Sequence, residues 1–384
     1  MKSKENKPKK KILILSATAG AGHVRAGEAL EETARDFSLP VTLLHEDILN
    51  FTFPLFKKLY NDLYFGLVNA SPELWGYLYK KTNLTRKKKS PLLKLFDHFN
   101  YKKYLETLHL LRPDAVVCTH FLPYAAIAGE LTKRGWSIPF FVSTTDFDVH
   151  SLWIAPGIMH YYAATDESAW TIRSHGIDEF RISVTGIPIR SHFGIKVDQT
   201  GARKQLGLST NKFTIMILSG GYGIGVLDDL VASIADFLGT YKKKQFQLLI
   251  VCGKNQALYD SLRRYRFPQN VTPVLFKFVP FINQLMDCSE LLITKSGGLT
   301  VSEALAKHLP MIIFDPIPGQ EGRNAEYLTE QGAAMRAFSF QNLHYKLKML
   351  IDNPERLRSM RGNAGTIAKP NAAHAIMLDV LKRI

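Results

Sequence analysis

At 384 residues the chain is long enough for two or three domains, and its 46% hydrophobic and 22% charged residues are ordinary globular usage. That composition excludes a disordered chain, a collagen and a disulfide-stapled mini-protein. The formal net charge of +15 is a large positive excess that calls for an anionic partner or surface.

The basic N-terminus is followed by only four apolar residues, Ile12–Leu15, too few for the core of a signal peptide. No run of 18 apolar residues is available to span a bilayer. Ile12–Leu15 reads instead as a first buried strand, followed by Val41–Leu44, Ala115–Cys118, Phe140–Ser143, Tyr161–Ala164 and Ile182–Val184. A second series reads Thr214–Leu218, Leu248–Cys252, Val274–Val279, Leu291–Ile293 and Met311–Phe314. Continuous apolar runs alternating with helical patterns predict α/β architecture with parallel sheets. Two series predict two Rossmann-like domains, 1–200 and 201–370, joined within Phe193–Gly207, where Gly194, Asp198, Thr200 and Gly201 interrupt the pattern. The closing helix, 371–384, is expected to pack back on the first domain. Three cysteines, Cys118, Cys252 and Cys288, lie in separate apolar stretches with no CxxC spacing, against a disulfide framework or zinc site and in keeping with a reducing cytosol.

Phe51–Tyr104 breaks this rhythm. Phe56, Leu59, Tyr60, Leu63, Tyr64 and Leu67 share one helix face, and a second short helix opens at Pro72 and carries Trp75. Residues 51–105 hold 11 Lys/Arg, including Lys87, Lys88 and Lys89, against 3 Asp/Glu. An amphipathic helix beside a basic run suits an anionic membrane surface. The plain alternative is a helical hairpin with a solvated basic face. No nucleic-acid-binding motif accompanies the charge.

Four loops carry candidate chemistry, each directly after a strand. Thr18-Ala19-Gly20-Ala21-Gly22-His23 opens a helix and places His23 at its N-terminus, where the helix dipole disfavours imidazolium and favours a neutral base. Arg25 stands where a dinucleotide fingerprint needs its third glycine, so a nicotinamide reading rests on Asp47 alone. Ser219-Gly220-Gly221-Tyr222-Gly223-Ile224-Gly225 suits phosphate but lacks the Gly-Lys-Ser/Thr ending of a P-loop. Lys295-Ser296-Gly297-Gly298-Leu299-Thr300 offers amides and hydroxyls to a pyrophosphate, and Glu303, one turn on, can accept from a ribose diol. Asp315-Pro316-Ile317-Pro318-Gly319-Gln320-Glu321-Gly322-Arg323-Asn324 presents Gln320 and Glu321 to sugar hydroxyls. Asp146-Phe147-Asp148 is a D-x-D string; Asp146 is open to three roles, orienting His23, shaping an acceptor site or capping a helix, besides holding a metal.

These loops, with Thr144-Thr145-Asp146-Phe147, His150, Trp153 and Val184-Thr185-Gly186-Ile187-Pro188, resemble the family-28 nucleotide-sugar glycosyltransferases over nearly the whole chain. The resemblance is to the branch of processive diacylglycerol glucosyltransferases and monogalactosyldiacylglycerol synthases. It implies a GT-B architecture, two Rossmann-like domains with parallel sheets facing across a cleft, the first binding acceptor and the second UDP-sugar. It implies inverting transfer of glucose or galactose to diacylglycerol at the cytoplasmic face of the membrane, with no cofactor and no metal. His23 matches the proposed base, with Asp146 beside it in the catalytic set and Gly22, Phe56, Tyr60, Trp75 and Lys87–Lys89 on the acceptor or membrane side. Gly221, Tyr222, Gly223, Phe278, Val279, Ser296, Gly297, Gly298, Thr300, Glu303, Gln320, Glu321 and Asn324 match the UDP-sugar side. Two other readings stay open: another lipid acceptor, such as a polyprenyl carrier, and a silent UDP-sugar sensor.

Overall fold

The computed structural model describes residues 9–18, 20–52, 73–74, 76–77, 81, 101–218, 227–314 and 316–384. Of the predicted site residues, Phe56, Tyr60, Trp75, Lys87, Lys88, Lys89, Gly221, Tyr222 and Gly223 lie outside these. The chain divides into two compact units, residues up to Ser191 together with Asn371–Ile384, and His192–Pro370.

The first unit is a parallel sheet of β1 (Lys10–Ser16), β2 (Val41–Asp47), β3 (Ala115–Cys118), β4 (Phe140–Ser143), β5 (His160–Ala163) and β6 (Ile182–Val184), ordered β2-β1-β3-β4-β5-β6. Its strands read as unbroken apolar runs because both faces are covered. Leu13 and Leu15 join one core with α2 (Tyr101–Leu111), α3 (Leu122–Arg134) and α4 (Asp166–Ser174). Ile12 and Ile14, half a pleat away, join the other with Ala29, Leu30 and Ala34 of α1 (Ala21–Asp36).

That second core is completed from the far end of the chain. Helix α13 (Ala372–Arg383) seats Ala373, Ile376, Met377 and Val380 against Ile12, Ile14, Phe141 and Tyr162. Polar contacts fix its register. The Tyr162 hydroxyl donates to Asp379 at 2.9 Å, and Arg383 Nε donates to the same carboxylate at 2.6 Å. His160 Nε2 lies 2.8 Å from Ser183 Oγ and 3.8 Å from Asp379, while its Nδ1 is buried with no partner in the described structure.

Burial, aided by the positive field of Arg383 and opposed by Asp379, lowers the His160 pKa to about 4. The unfolded chain therefore takes up this proton first, and stability falls as pH drops from about 6.5 to 4. His160 is 1% exposed, so the loss from this residue is on the order of 3 kcal/mol. Urea denaturation at a series of pH values is expected to show that decline, and His160→Gln is expected to make it shallower, the buried His23 and His120 supplying the rest.

The second unit begins before the predicted 200/201 joint. Helix α5 (Gln199–Gln205) belongs to it because the buried Arg203 donates to Glu290 and to the Cys288, Thr210 and Lys212 carbonyls. The sheet comprises β7 (Phe213–Leu218), β8 (Phe246–Val251), β9 (Val271–Phe276), β10 (Leu291–Thr294), β11 (Met311–Phe314) and β12 (Ala334–Ala337), all parallel, ordered β12-β11-β10-β7-β8-β9. Its helices are α6 (Leu227–Gly239), α7 (Gln256–Arg264), α8 (Ile282–Asp287), α9 (Gly298–Ala306), α10 (Gln320–Glu330), α11 (Phe340–Asp352) and α12 (Pro354–Ile367).

Two strand expectations need correction. β9 spans Val271–Phe276, not Val274–Val279, because pairing with β8 ends where Val251 meets Phe276. β12 has the sequence Ala-Met-Arg-Ala, which carries no strand pattern; it is extended because it pairs with β11 at the sheet edge.

Candidate functional site

In open α/β sheets ligands bind beyond the carboxyl ends of the strands, where strand order reverses. In the first unit the reversal falls between β1 and β3, and in the second between β7 and β10. Two of the stretches the sequence marks follow strands at these points, 20–23 after β1 and 295–300 after β10, while the glycine-rich stretch 219–226 lies outside the described residues.

In the first unit, β1 ends at Ser16 and the chain enters α1 through Gly20, whose φ of +107° only glycine adopts cheaply. No side chain caps α1. Gly22 and the half-buried His23 stand in its first turn. Thr119, the first residue after β3, clamps His23 from both sides. Its hydroxyl donates to the His23 carbonyl at 2.9 Å, and its own carbonyl lies 2.9 Å from His23 Nδ1. A carbonyl only accepts, so Nδ1 carries the proton and shares it with Thr145 Oγ1 at 2.8 Å. In the neutral ring the lone pair is then on Nε2. Burial lowers the His23 pKa to about 4, against the raising effect of the Thr119 hydrogen bond. The ring stays neutral at physiological pH.

An aromatic wall surrounds this imidazole. His120 meets it edge-on at 4.7 Å between centroids, and Trp153 lies 6.1 Å away. His120 is itself kept neutral, by burial first and by His23 second, and its Nδ1 accepts from the Leu122 amide. The sequence reading missed Thr119 and His120, which carry no motif; only the pairing of β3 with β1 brings them to His23. Asp146 follows Thr145 and is half-buried, while His23 Nδ1 faces Thr119 and Thr145. His150 caps the 3-10 turn at Ser151–Trp153 through the Leu152 amide. The Asp47 carboxylate accepts from Thr18 and from the Leu49 amide, so it braces the glycine loop and caps the next turn. That use removes the sequence argument for a nicotinamide site. No group of His, Cys, Asp or Glu arranged for a metal occurs among the described residues.

In the second unit, two motifs far apart in sequence interlock. The Ser296 hydroxyl donates to the Glu321 carbonyl at 2.6 Å, and the Asn324 amide donates back to the Ser296 carbonyl at 3.0 Å. Glu321 Oε2 accepts from the Ile317 amide at 2.8 Å, and a Cβ on Gly297 would come within 3.7 Å of its other oxygen. Ser296 and Asn324 are completely buried, so their side chains hold the two loops together. α9 opens at Gly297 and α10 at Gly319, each without a side-chain cap, and Gly319 has φ +102°. Uncapped helix N-termini attract anions. Gly298 stands at the start of α9, Thr300 is half-buried in its first turn, and Glu303 is 4% exposed one turn later. Gln320 is half-buried at the start of α10. Phe278 and Val279 lie in the loop after β9, Phe278 exposed and Val279 half-buried.

Two Rossmann-like units, each with a glycine-opened helix at its reversal point, make the GT-B fold. Solved structures agree in fold. MurG of Acinetobacter baumannii matches with TM-score 0.64 at 17% identity, over 98% of this chain and 100% of that one. MnaA of S. aureus, solved with UDP, matches with TM-score 0.63 at 14% identity, over 96% and 94%.

The model of the monogalactosyldiacylglycerol synthase family matches residues 23–189, and that of the glycosyltransferase family 28 C-terminal domain matches residues 214–376. Processive diacylglycerol β-glucosyltransferases of Bacillus cytotoxicus and Bacillus mycoides are each 30% identical, over 97% of this chain and 93% of theirs. The chain belongs to glycosyltransferase family 28, and is a UDP-sugar-dependent glycosyltransferase.

Proposed function

We propose that the enzyme transfers glucose or galactose from a UDP-sugar to diacylglycerol at the membrane surface, inverting the donor's α linkage to give a β-glycosyl-diacylglycerol. The acceptor hydroxyl oxygen attacks the anomeric carbon and gives its proton to His23 Nε2. The bond to the β-phosphate oxygen breaks, and UDP leaves with the electron pair. The observation carrying this reading is the tautomer of His23: Nδ1–H committed to Thr119, a lone pair on Nε2 and a neutral ring at pH 7. A positioned base contributes ~10²–10⁴ in rate.

The leaving diphosphate is assigned to the α9 and α10 amides, whose partial positive charge stabilises it without a metal or cofactor. Gln320, Glu321 and Glu303 are assigned to the sugar and ribose hydroxyls. Ser296 and Asn324 act on the donor through the loops they fix. Diacylglycerol is the acceptor in the names of the relatives, and it stays in the bilayer. No helix among the described residues is long and apolar enough to cross a membrane. Because its proposed acceptor stays in the bilayer, the enzyme is assigned a peripheral place at the cytoplasmic face, its basic 51–105 segment meeting anionic lipids at ~1 kcal/mol per basic residue near the surface.

Incubation with radiolabelled UDP-glucose or UDP-galactose and diacylglycerol vesicles tests this, with lipid products resolved by chromatography and anomers by NMR. Labelled β-glycosyl-diacylglycerol is the expected product. No labelled lipid from these vesicles, with label passing instead to a polyprenyl phosphate supplied in parallel vesicles or to no lipid, overturns the acceptor assignment.

A further inference from the structure

The second unit has a hollow of about 320 Å³ at the opposite end of its strands from the interlocked loops. Asp287 on its wall precedes β10, and Lys307 and His308 precede β11. Ser296 and Gln320 follow those same strands. The four residues of β10 separate the two places by about 13 Å, so this hollow is not part of the donor site.

Its charge is unbalanced. Lys307 Nζ donates to Asp287 at 2.9 Å and to the Ile195 carbonyl at 2.9 Å, so that pair is neutral. Arg361 is half-buried and has no hydrogen bond or ion pair in the described structure. The carboxylate whose field reaches it, Glu290, already accepts from Arg203 through both oxygens at 2.7 Å and from the Thr214 amide at 2.6 Å. Lys196, exposed on the same wall, is likewise unpartnered among the described residues.

Between these cations stands a residue in a costly conformation. His308 has φ +51°. It ends α9 in a Schellman turn, with its amide on the Leu305 carbonyl and the Leu309 amide on the Ala304 carbonyl, each at 2.9 Å. Glycine is the usual residue there, and a side chain pays strain for the left-handed backbone. Gly365 of α12 makes room for the ring: a Cβ there would lie 2.8 Å from His308 Cε1 and Nδ1.

We propose that this hollow binds a phosphate monoester, its dianion held by the Arg361 guanidinium, the Lys196 ammonium and an N–H of His308. A guanidinium and an ammonium around one small space match a tetrahedral dianion. Burial, then the nearby Lys196 and Arg361, keep His308 below the usual imidazole range, so it serves as a neutral donor. Ile195 and Val197, 60% and 47% exposed on either side of Lys196, offer apolar contact to the organic part of the ester. That ester is either a soluble metabolite or a lipid headgroup.

Calorimetric titration of the full chain with inorganic phosphate and glycerol 3-phosphate, with excess UDP filling the donor motif, tests the soluble source. Flotation with phosphatidylcholine vesicles carrying phosphatidate, against vesicles carrying the phosphodiester phosphatidylglycerol, tests the lipid source. Saturable binding in the first, or preference for phosphatidate in the second, is expected. Arg361→Gln should weaken it about tenfold or more. His308→Gly should also weaken it while the melting temperature holds or rises, since glycine suits the backbone there. Absence of binding in both assays, or both variants binding like the parent, overturns the proposal.

Discussion

His23→Ala is expected to lower kcat by about 10²–10⁴, with UDP affinity and melting temperature close to the parent's. The drop follows from what the ring is placed to do. Its Nδ1–H is taken by Thr119 and Thr145, and Nε2 keeps the lone pair. UDP affinity should hold because the diphosphate is assigned to the helix ends of the other unit. The pH profile gives a second reading. A free imidazole loses basicity below pH ~6.5, but burial moves this one to about 4. The rate should therefore be flat from neutral pH down to about 5 and fall only as His23 takes up a proton, in step with a pKa of about 4. An acid limb centred near 6.5, or a His23→Ala enzyme with parental turnover, would remove His23 as base. Thr145→Val leaves the Thr119 carbonyl in place and should cost far less than loss of the ring.

Removal of residues 371–384 is expected to leave the first unit unable to fold stably. Ile376, Met377 and Val380 are completely buried against β1 and β5 side chains. Burial of side chains of this size is worth about 1.5–3 kcal/mol each, and a whole domain is stable by only about 5–15 kcal/mol. Truncation would also uncover Ile12 and Ile14 on the sheet. Ile376→Ala, a milder probe, should cost about 2–5 kcal/mol. Calorimetry should show the loss in one transition, with the transition of residues 192–370 unmoved. A truncated chain that melts like the parent would show that α13 is dispensable.

The α/β rhythm was legible because parallel strands covered on both faces are unbroken apolar runs. β1, β3, β4 and β11 lie within a few residues of where hydrophobicity puts them. The glycine-opened helices were legible too, since Gly20 and Gly319 adopt positive φ that other residues avoid. What failed was whatever depended on pairing. β12 is a strand only because β11 lies beside it, and β9 stops where its partner stops.

The sequence by itself determined the class of fold, the glycine turns that open helices and the family, because each is written in local pattern: apolar run, glycine turn, helix start. Only the tertiary structure decided that Thr119 fixes the proton on His23. It also decided that Ser296 and Asn324 lock two distant loops together, and that Arg361, unpaired among the described residues, stands beside His308. These relations join residues tens of positions apart. The order of strands in the sheet sets which of them meet, and no short stretch of sequence encodes that order.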